Sequence, residues 1–254
     1  MNTLHDTHRP QIRLAREAVL EAAWICTNLA CAGSEPAAAV LAAAPALILH
    51  LDCAHGDEVA EQCAWALGNI AGEGREACEV LFANGATLPL GRLLMRAAKE
   101  HSAYAAHAAI CAAWALSNLL FSCPPEAGRL LGLQGFPKGL VAILRGHNSA
   151  ELTLEVAWLL ALISAGPEAH MHAMVKHGAA AAVAGALVSA VDSQEAEDVL
   201  DPLLRSAGNM ASSAAAAAIL GVPHATSVIS RIQQHELYRE EASWVLANLE
   251  AACR

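Results

Sequence analysis

The sequence predicts an all-α protein, built as a right-handed superhelical solenoid of about six three-helix repeats. Three observations predict it. Alanine and leucine dominate a chain of 254 residues in which 56% are hydrophobic, 16% charged and only 4% aromatic. That balance favours helices over sheets and can fill a large core, which excludes a disordered chain. All five tryptophans stand in similar local contexts, and Gly- or Pro-bearing breaks recur between the apolar stretches.

The tryptophan contexts are EAAWICTNLA at Trp24, QCAWALGNIA at Trp65, CAAWALSNLL at Trp114, EVAWLLALIS at Trp158 and EASWVLANLE at Trp244. Their successive spacings are 41, 49, 44 and 86 residues. The last is about two periods, and its midpoint holds PLLRSAGNMA, with Arg205 at the tryptophan position. Six copies at this spacing match the armadillo/HEAT period. After each W helix comes a break, such as AGEG at 71–74, SCPP at 122–125 or AGP at 165–167. A short helix follows, as in REACEVLFANG, whose terminal glycine suits a left-handed helix end. A second helix, such as ATLPLGRLLMRAAK, then leads to the next W helix. Three helices per copy is the armadillo pattern rather than HEAT. No copy can bury its apolar face alone, so residues 15–254 are expected to stack as one domain after a flexible tail of residues 1–14.

Trp and Asn four residues apart share one helix face. The pair is complete at Trp24/Asn28, Trp65/Asn69, Trp114/Asn118 and Trp244/Asn248. Arg205/Asn209 keeps only the amide, and Trp158, followed by Leu162, keeps only the indole. In a single helix, the Trp would read as a core anchor and the Asn as a turn or cap residue. Repetition argues otherwise, because an unpaired buried carboxamide costs about 1–3 kcal/mol. A ladder of amides lining a groove is the expectation. Each would hold the N–H and C=O of an extended peptide. Neighbouring indoles would then form slots for Lys or Arg stems, with cation–π attraction of about 0.5–2 kcal/mol per cation. Carboxylates near those slots are candidates for pairing. They are Glu61, four residues before Trp65, Glu73 just past the same helix, Glu151 and Glu155 before Trp158, and Glu240 and Glu241 before Trp244.

The strings EAAWICTNLA, AEQCAWALGNIAGEG, AAWALSNLL, PLLRSAGNM and EEASWVLANL resemble successive armadillo repeats of the importin-α (karyopherin-α) family. Their order matches too, including the Arg-for-Trp copy. By that register, residues 15–254 resemble repeats two to seven of a ten-repeat family. The resemblance implies a nuclear import adaptor of cytoplasm and nucleus that binds basic localisation signals in a concave groove. It implies a major peptide site at Trp24, Asn28, Glu61, Trp65, Asn69, Glu73, Trp114, Asn118, Glu151, Glu155 and Trp158. Glu73 would receive the critical signal lysine, where the family usually has Asp. A minor site would comprise Arg205, Asn209, Glu241, Trp244 and Asn248. The first 20 residues carry no basic run of the kind that binds importin-β, so recruitment of importin-β is not expected. Repeats eight to ten are not matched, and Ala32 stands where the family has a helix-end glycine. The chain reads either as a partial product or as a divergent paralogue. The alternative function is a divergent armadillo scaffold for protein–protein interaction, without import activity.

Other classes fare poorly. A formal net charge of −10 argues against nucleic acid, which needs clustered Lys and Arg, and suits a basic partner. The eight cysteines form no C-x-x-C pair, and Cys63, Cys78 and Cys111 sit in apolar helices, as buried free thiols do. The uncharged stretches near 102–121 and 206–230 are interrupted by polar residues or Gly/Pro and are not read as membrane spans. HLDCAH, with His50, Asp52, Cys53 and His55, lacks a second cluster to complete a zinc site. His170 and His172 point to different helix faces. No catalytic fingerprint is present, so neither an enzyme, a metal nor a cofactor is expected.

Overall fold

The computed structural model describes residues 4–52, 56–96, 103–146, 149–193 and 197–254. Among these residues the chain forms sixteen α-helices, joined by short turns and 3-10 segments, and no strand. It divides into two compact units, Met1–Ser122 and Cys123–Arg254. The boundary falls just after the third W helix, within the stretch that the repeat pattern marks as one array.

In the first unit, α1 (Leu4–Ala30) is the first W helix. It starts inside the segment 1–14 that was expected to be a tail. The second copy is α2 (Ser34–Val40), α3 (Ala44–Leu49) and α4 (Asp57–Gly72); the third is α5 (Arg75–Ala83), α6 (Thr87–Arg96) and α7 (Ala103–Ser122). Each copy thus has two short helices followed by a long one that carries the tryptophan. The three W helices lie side by side with α4 in the middle. Val59, Cys63, Leu67 and Ile70 of α4 are wholly buried, each such aliphatic side chain contributing about 1.5–3 kcal/mol. Arg96 at the end of α6 pairs with Asp57 at the start of α4, 2.5 Å away. Helix α7 is long and apolar enough to cross a membrane by length and composition. Here it packs against α4 and α6, with Ala108, Ala112, Leu116 and Leu119 inaccessible.

The second unit repeats the scheme. Its copies are α8 (Ala127–Leu131), α9 (Phe136–Arg145) and α10 (Ala150–Ala165); α11 (Glu168–Lys176), α12 (Ala179–Ser193) and α13 (Leu200–Asn209); and α14 (Ser213–Leu220), α15 (Ala225–Ile232) and α16 (Arg239–Ala252). Ser149 caps α10 by accepting the Leu152 N–H at 3.2 Å, which satisfies one of the donors left open at a helix start. The alanine run at 179–182 lies in α12, the helix that packs on α9, α13, α14 and α15 at once. Ala180, Ala182 and Ala184 are buried there, and short side chains let several neighbours approach one helix.

Between α2 and α3 the chain passes through a right-handed 3-10 turn, but in the other four copies the turn between the first and second helix contains a left-handed residue. Gly85, Gly135 and Gly178 supply it with φ of 76°, 82° and 87°, at no Cβ cost. In the last copy His224 takes the same position at φ 66°, alone among the described non-glycine residues in having positive φ. A left-handed conformation costs a side-chain-bearing residue about 1–2 kcal/mol. Replacing His224→Gly is therefore expected to raise unfolding stability by about 1 kcal/mol, measured by urea denaturation. Unchanged or lower stability would count against the assignment of strain to this turn.

Candidate peptide-binding face

The W helices place their indoles away from the core. Trp24, Trp65 and Trp244 are 54%, 44% and 42% exposed, and Trp114 and Trp158 are half-buried. Each ring has one face on protein wherever a preceding W helix of the same unit offers a seat of glycine. Trp114 lies against Gly68 of α4, and Trp244 against Gly208 of α13. Both glycines stand three residues after the tryptophan position of their own copy. A Cβ on either would come within 2.5 Å of the ring's Cε3. Gly68 and Gly208 thus set how closely the next helix approaches.

The asparagines do something the sequence reading did not foresee. The amide nitrogen of Asn118 donates to the Gly68 carbonyl at 3.0 Å, and that of Asn248 to the Gly208 carbonyl at 3.3 Å. Asn69 donates to Thr27 O at 3.2 Å. Asn209 donates to Ala161 O and Ser164 Oγ, each at 3.3 Å. In all four joins the backbone acceptor is the residue three places after the tryptophan position in the preceding W helix. Asn28, in the first copy, donates instead to Trp24 O of its own helix at 2.8 Å. Recurrence of the amide therefore needs no ligand to explain it. One amide hydrogen holds successive helices in register, and the side-chain oxygen and second hydrogen are what remain for a peptide.

Acidic groups gather at the open side of the indoles. A hollow beside Trp24 is lined by Leu20, Glu21, Glu58, Glu61 and Gln62. Burial pushes the Glu61 carboxyl up, opposed by His107, whose Nδ1 is 4.0 Å away, and assisted by the charge of Glu58. Burial likewise pushes Glu155 up. The Gln62 side-chain oxygen is buried in this region with no hydrogen-bond partner among the described residues. Glu58 is itself bound by Arg16 at 2.6 Å. Glu73 and Glu151 are exposed, and Glu73 lines a separate hollow with Ala37 of α2, Leu41 just after it, Ile70 of α4 and Val80 of α5.

Two acids were not anticipated, and one anticipated acid is already engaged. Glu21 and Glu58 belong to the acidic group and were missed. The signal was present, because Glu21 precedes Trp24 by three residues, as Glu155 precedes Trp158, and Glu58 precedes Trp65 by seven, as Glu151 precedes Trp158. Glu241 is not an open acid. Its carboxylate accepts from Arg205 Nη2 at 3.2 Å, and Arg205 also pairs with Asp201 at 2.9 Å. Of the HLDCAH cluster, only His50 and Asp52 fall among the described residues, while Cys53 and His55 lie outside them.

Comparison with known proteins agrees with this geometry. No family model matches the chain. It is 33% identical over 247 residues to importin subunit alpha-9 of Arabidopsis thaliana, covering 92% of this chain and 45% of that protein. It is 35% identical over 245 residues to importin subunit alpha-2 of Oryza sativa subsp. japonica, covering 92% and 44%. The chain thus spans less than half the length of these curated relatives. Among solved structures it is similar to a designed armadillo-repeat protein in complex with the peptide (KR)4, with a TM-score of 0.73 and 23% identity over 90% of this chain and 92% of that one. At that identity the likeness is one of fold.

Gly68→Ala is expected to destabilise the protein by about 1–3 kcal/mol in denaturant unfolding, because the Trp114 ring must move to admit the methyl group. Gly72→Ala is the control: its Cβ would stand 3.8 Å from Asn118 Nδ2, an ordinary contact, and stability should change little. Asn118→Ala should cost about 1 kcal/mol by removing the amide's bond across the helix join to the Gly68 carbonyl. A carboxyl pushed up by burial makes the folded state hold its proton to higher pH than the unfolded chain does. Its ionisation then opposes folding, so the destabilisation develops as pH rises through the glutamate range and persists at neutrality. Glu155→Gln should therefore stabilise the protein at pH 7, with the gain shrinking as pH is lowered through that range. A gain that grows on acidification would contradict the desolvated carboxyl.

Proposed function

Because this chain is an armadillo-repeat protein whose curated relatives are importin-α subunits, we propose that it is a non-enzymatic adaptor holding basic, extended peptides of the nuclear localisation type. The W-helix face is the binding surface. In the first unit, lysine or arginine stems lie between the indoles of Trp24, Trp65 and Trp114. Their cationic heads meet Glu61 and Glu73, and the side-chain oxygens of Asn69 and Asn118 accept from the peptide backbone. In the second unit, Trp158 with Glu155 offers a further slot. Arg205 fills the next position and already satisfies Glu241, so a ligand there competes with an internal ion pair. Such an adaptor works in cytoplasm and nucleus.

The observation that carries this reading is the hollow that the half-exposed Trp24 shares with Glu21, Glu58 and Glu61, the last a carboxyl that burial has made costly to ionise. A bound ammonium or guanidinium repays that cost with a charge-assisted hydrogen bond. The designed protein of the same fold carries a peptide of alternating Lys and Arg, so the scaffold can bear such a ligand.

Titration of a Lys-rich localisation peptide tests the proposal. Trp65→Ala should weaken binding about tenfold or more, since a cation–π contact and a stem slot are lost together. Its circular dichroism and unfolding should stay close to the parent's. Raising salt from 50 to 500 mM should weaken binding further. Affinity should also fall on acidification at a pH above the ordinary glutamate range, because Glu61 and Glu155 take up protons early. Equal affinity of parent and Trp65→Ala would dismiss the adaptor function.

A further inference from the structure

Phe121 is 78% exposed, more than any other large apolar side chain among the described residues. It lies seven residues after Trp114, so Trp114, Asn118 and Phe121 form one stripe along α7. Trp114 sits on Gly68, and Asn118 lies beside Gly72, the last residue of α4. One further turn carries Phe121 beyond the end of α4, to the level of the Glu73–Gly74 turn. The same position in the other copies holds Cys31, Gly72, Ala165, Ser212 and Ala251. Only in the third copy is it large. A phenylalanine in a helix is a poorer helix former than alanine, and when exposed this far it gains little from packing in its own chain.

Resting on the peptide-binding reading above, we infer that Phe121 is a specificity-determining residue: an apolar platform for one aliphatic or aromatic side chain flanking the basic run of the bound peptide. The stripe is continuous with the Trp114/Asn118 face. The acid at that level is Glu73, on the neighbouring helix end, and it is the partner for the flanking lysine. A single exposed ring is best covered by an apolar group, which removes the most non-polar surface from water. The platform thus distinguishes peptides that are equally basic.

The test uses the full chain and fluorescence anisotropy with synthetic peptides that share one Lys-Lys-Arg-Lys run. Each flanking position in turn is Ala, Leu or Lys. In the parent, Leu at one flanking position should bind about tenfold tighter than Ala. In Phe121→Ser, which copies the residue at position 212, that ratio should fall to about one, while the all-Ala peptide binds within about twofold of the parent. Phe121→Trp should keep the preference. The inference is overturned if the Leu/Ala ratio is the same in parent and Phe121→Ser. It is equally overturned if Lys, not Leu, is the residue whose advantage disappears. Should the all-Ala basic peptide fail to bind the parent at all, the adaptor function itself falls, and this inference with it.

Discussion

Four of the five W-helix asparagines reach back with their amides to a carbonyl of the helix before, and the packing of the W helices is arranged around that reach. Asn69, Asn118, Asn209 and Asn248 all use an acceptor three residues after the tryptophan position of the preceding copy. Where that residue is glycine, at 68 and 208, the next indole also rests on it. Hydrogen bond and ring contact fix both the rotation and the spacing of adjacent helices. Hydrophobic packing alone would tolerate some sliding, because the buried faces are largely Ala, Leu and Val. A directional bond to one carbonyl does not.

The same constraint creates the candidate face. A ring seated on a neighbour's glycine has one side covered and the other open to solvent. An asparagine whose nitrogen is engaged still has its side-chain oxygen as an acceptor. Stacking and recognition therefore share residues. Loss of binding in an asparagine variant would not by itself separate the two roles. The indoles are cleaner probes, because their outer sides take no part in the core.

Electrostatics then differ from copy to copy. Glu61 and Glu155 are held where ionisation is costly, and a cation would relieve them. Glu241 already has a cation beside it, Arg205, standing in place of a tryptophan. One repeated scaffold thus presents slots of unequal readiness. The chain's net charge of −10 biases encounter toward basic ligands, and the local pairings decide where they settle.

Much of this was legible in the chain alone. The period, the three helices per copy and the shared stripe of Trp and Asn follow from spacings within one helix or one copy, and helix geometry translates such spacings directly. The left-handed turn was foreseen at Gly85, though not at His224. Tertiary structure decided what depends on the offset between neighbouring helices. That includes the carbonyl chosen by each amide, the seating of Trp114 on Gly68, the capture of Glu241 by Arg205, and the projection of Phe121 past the end of α4. No spacing within a helix carries that offset. It is set by which side chains can close the gap between two helices, and here glycine and asparagine, acting across the join, set it.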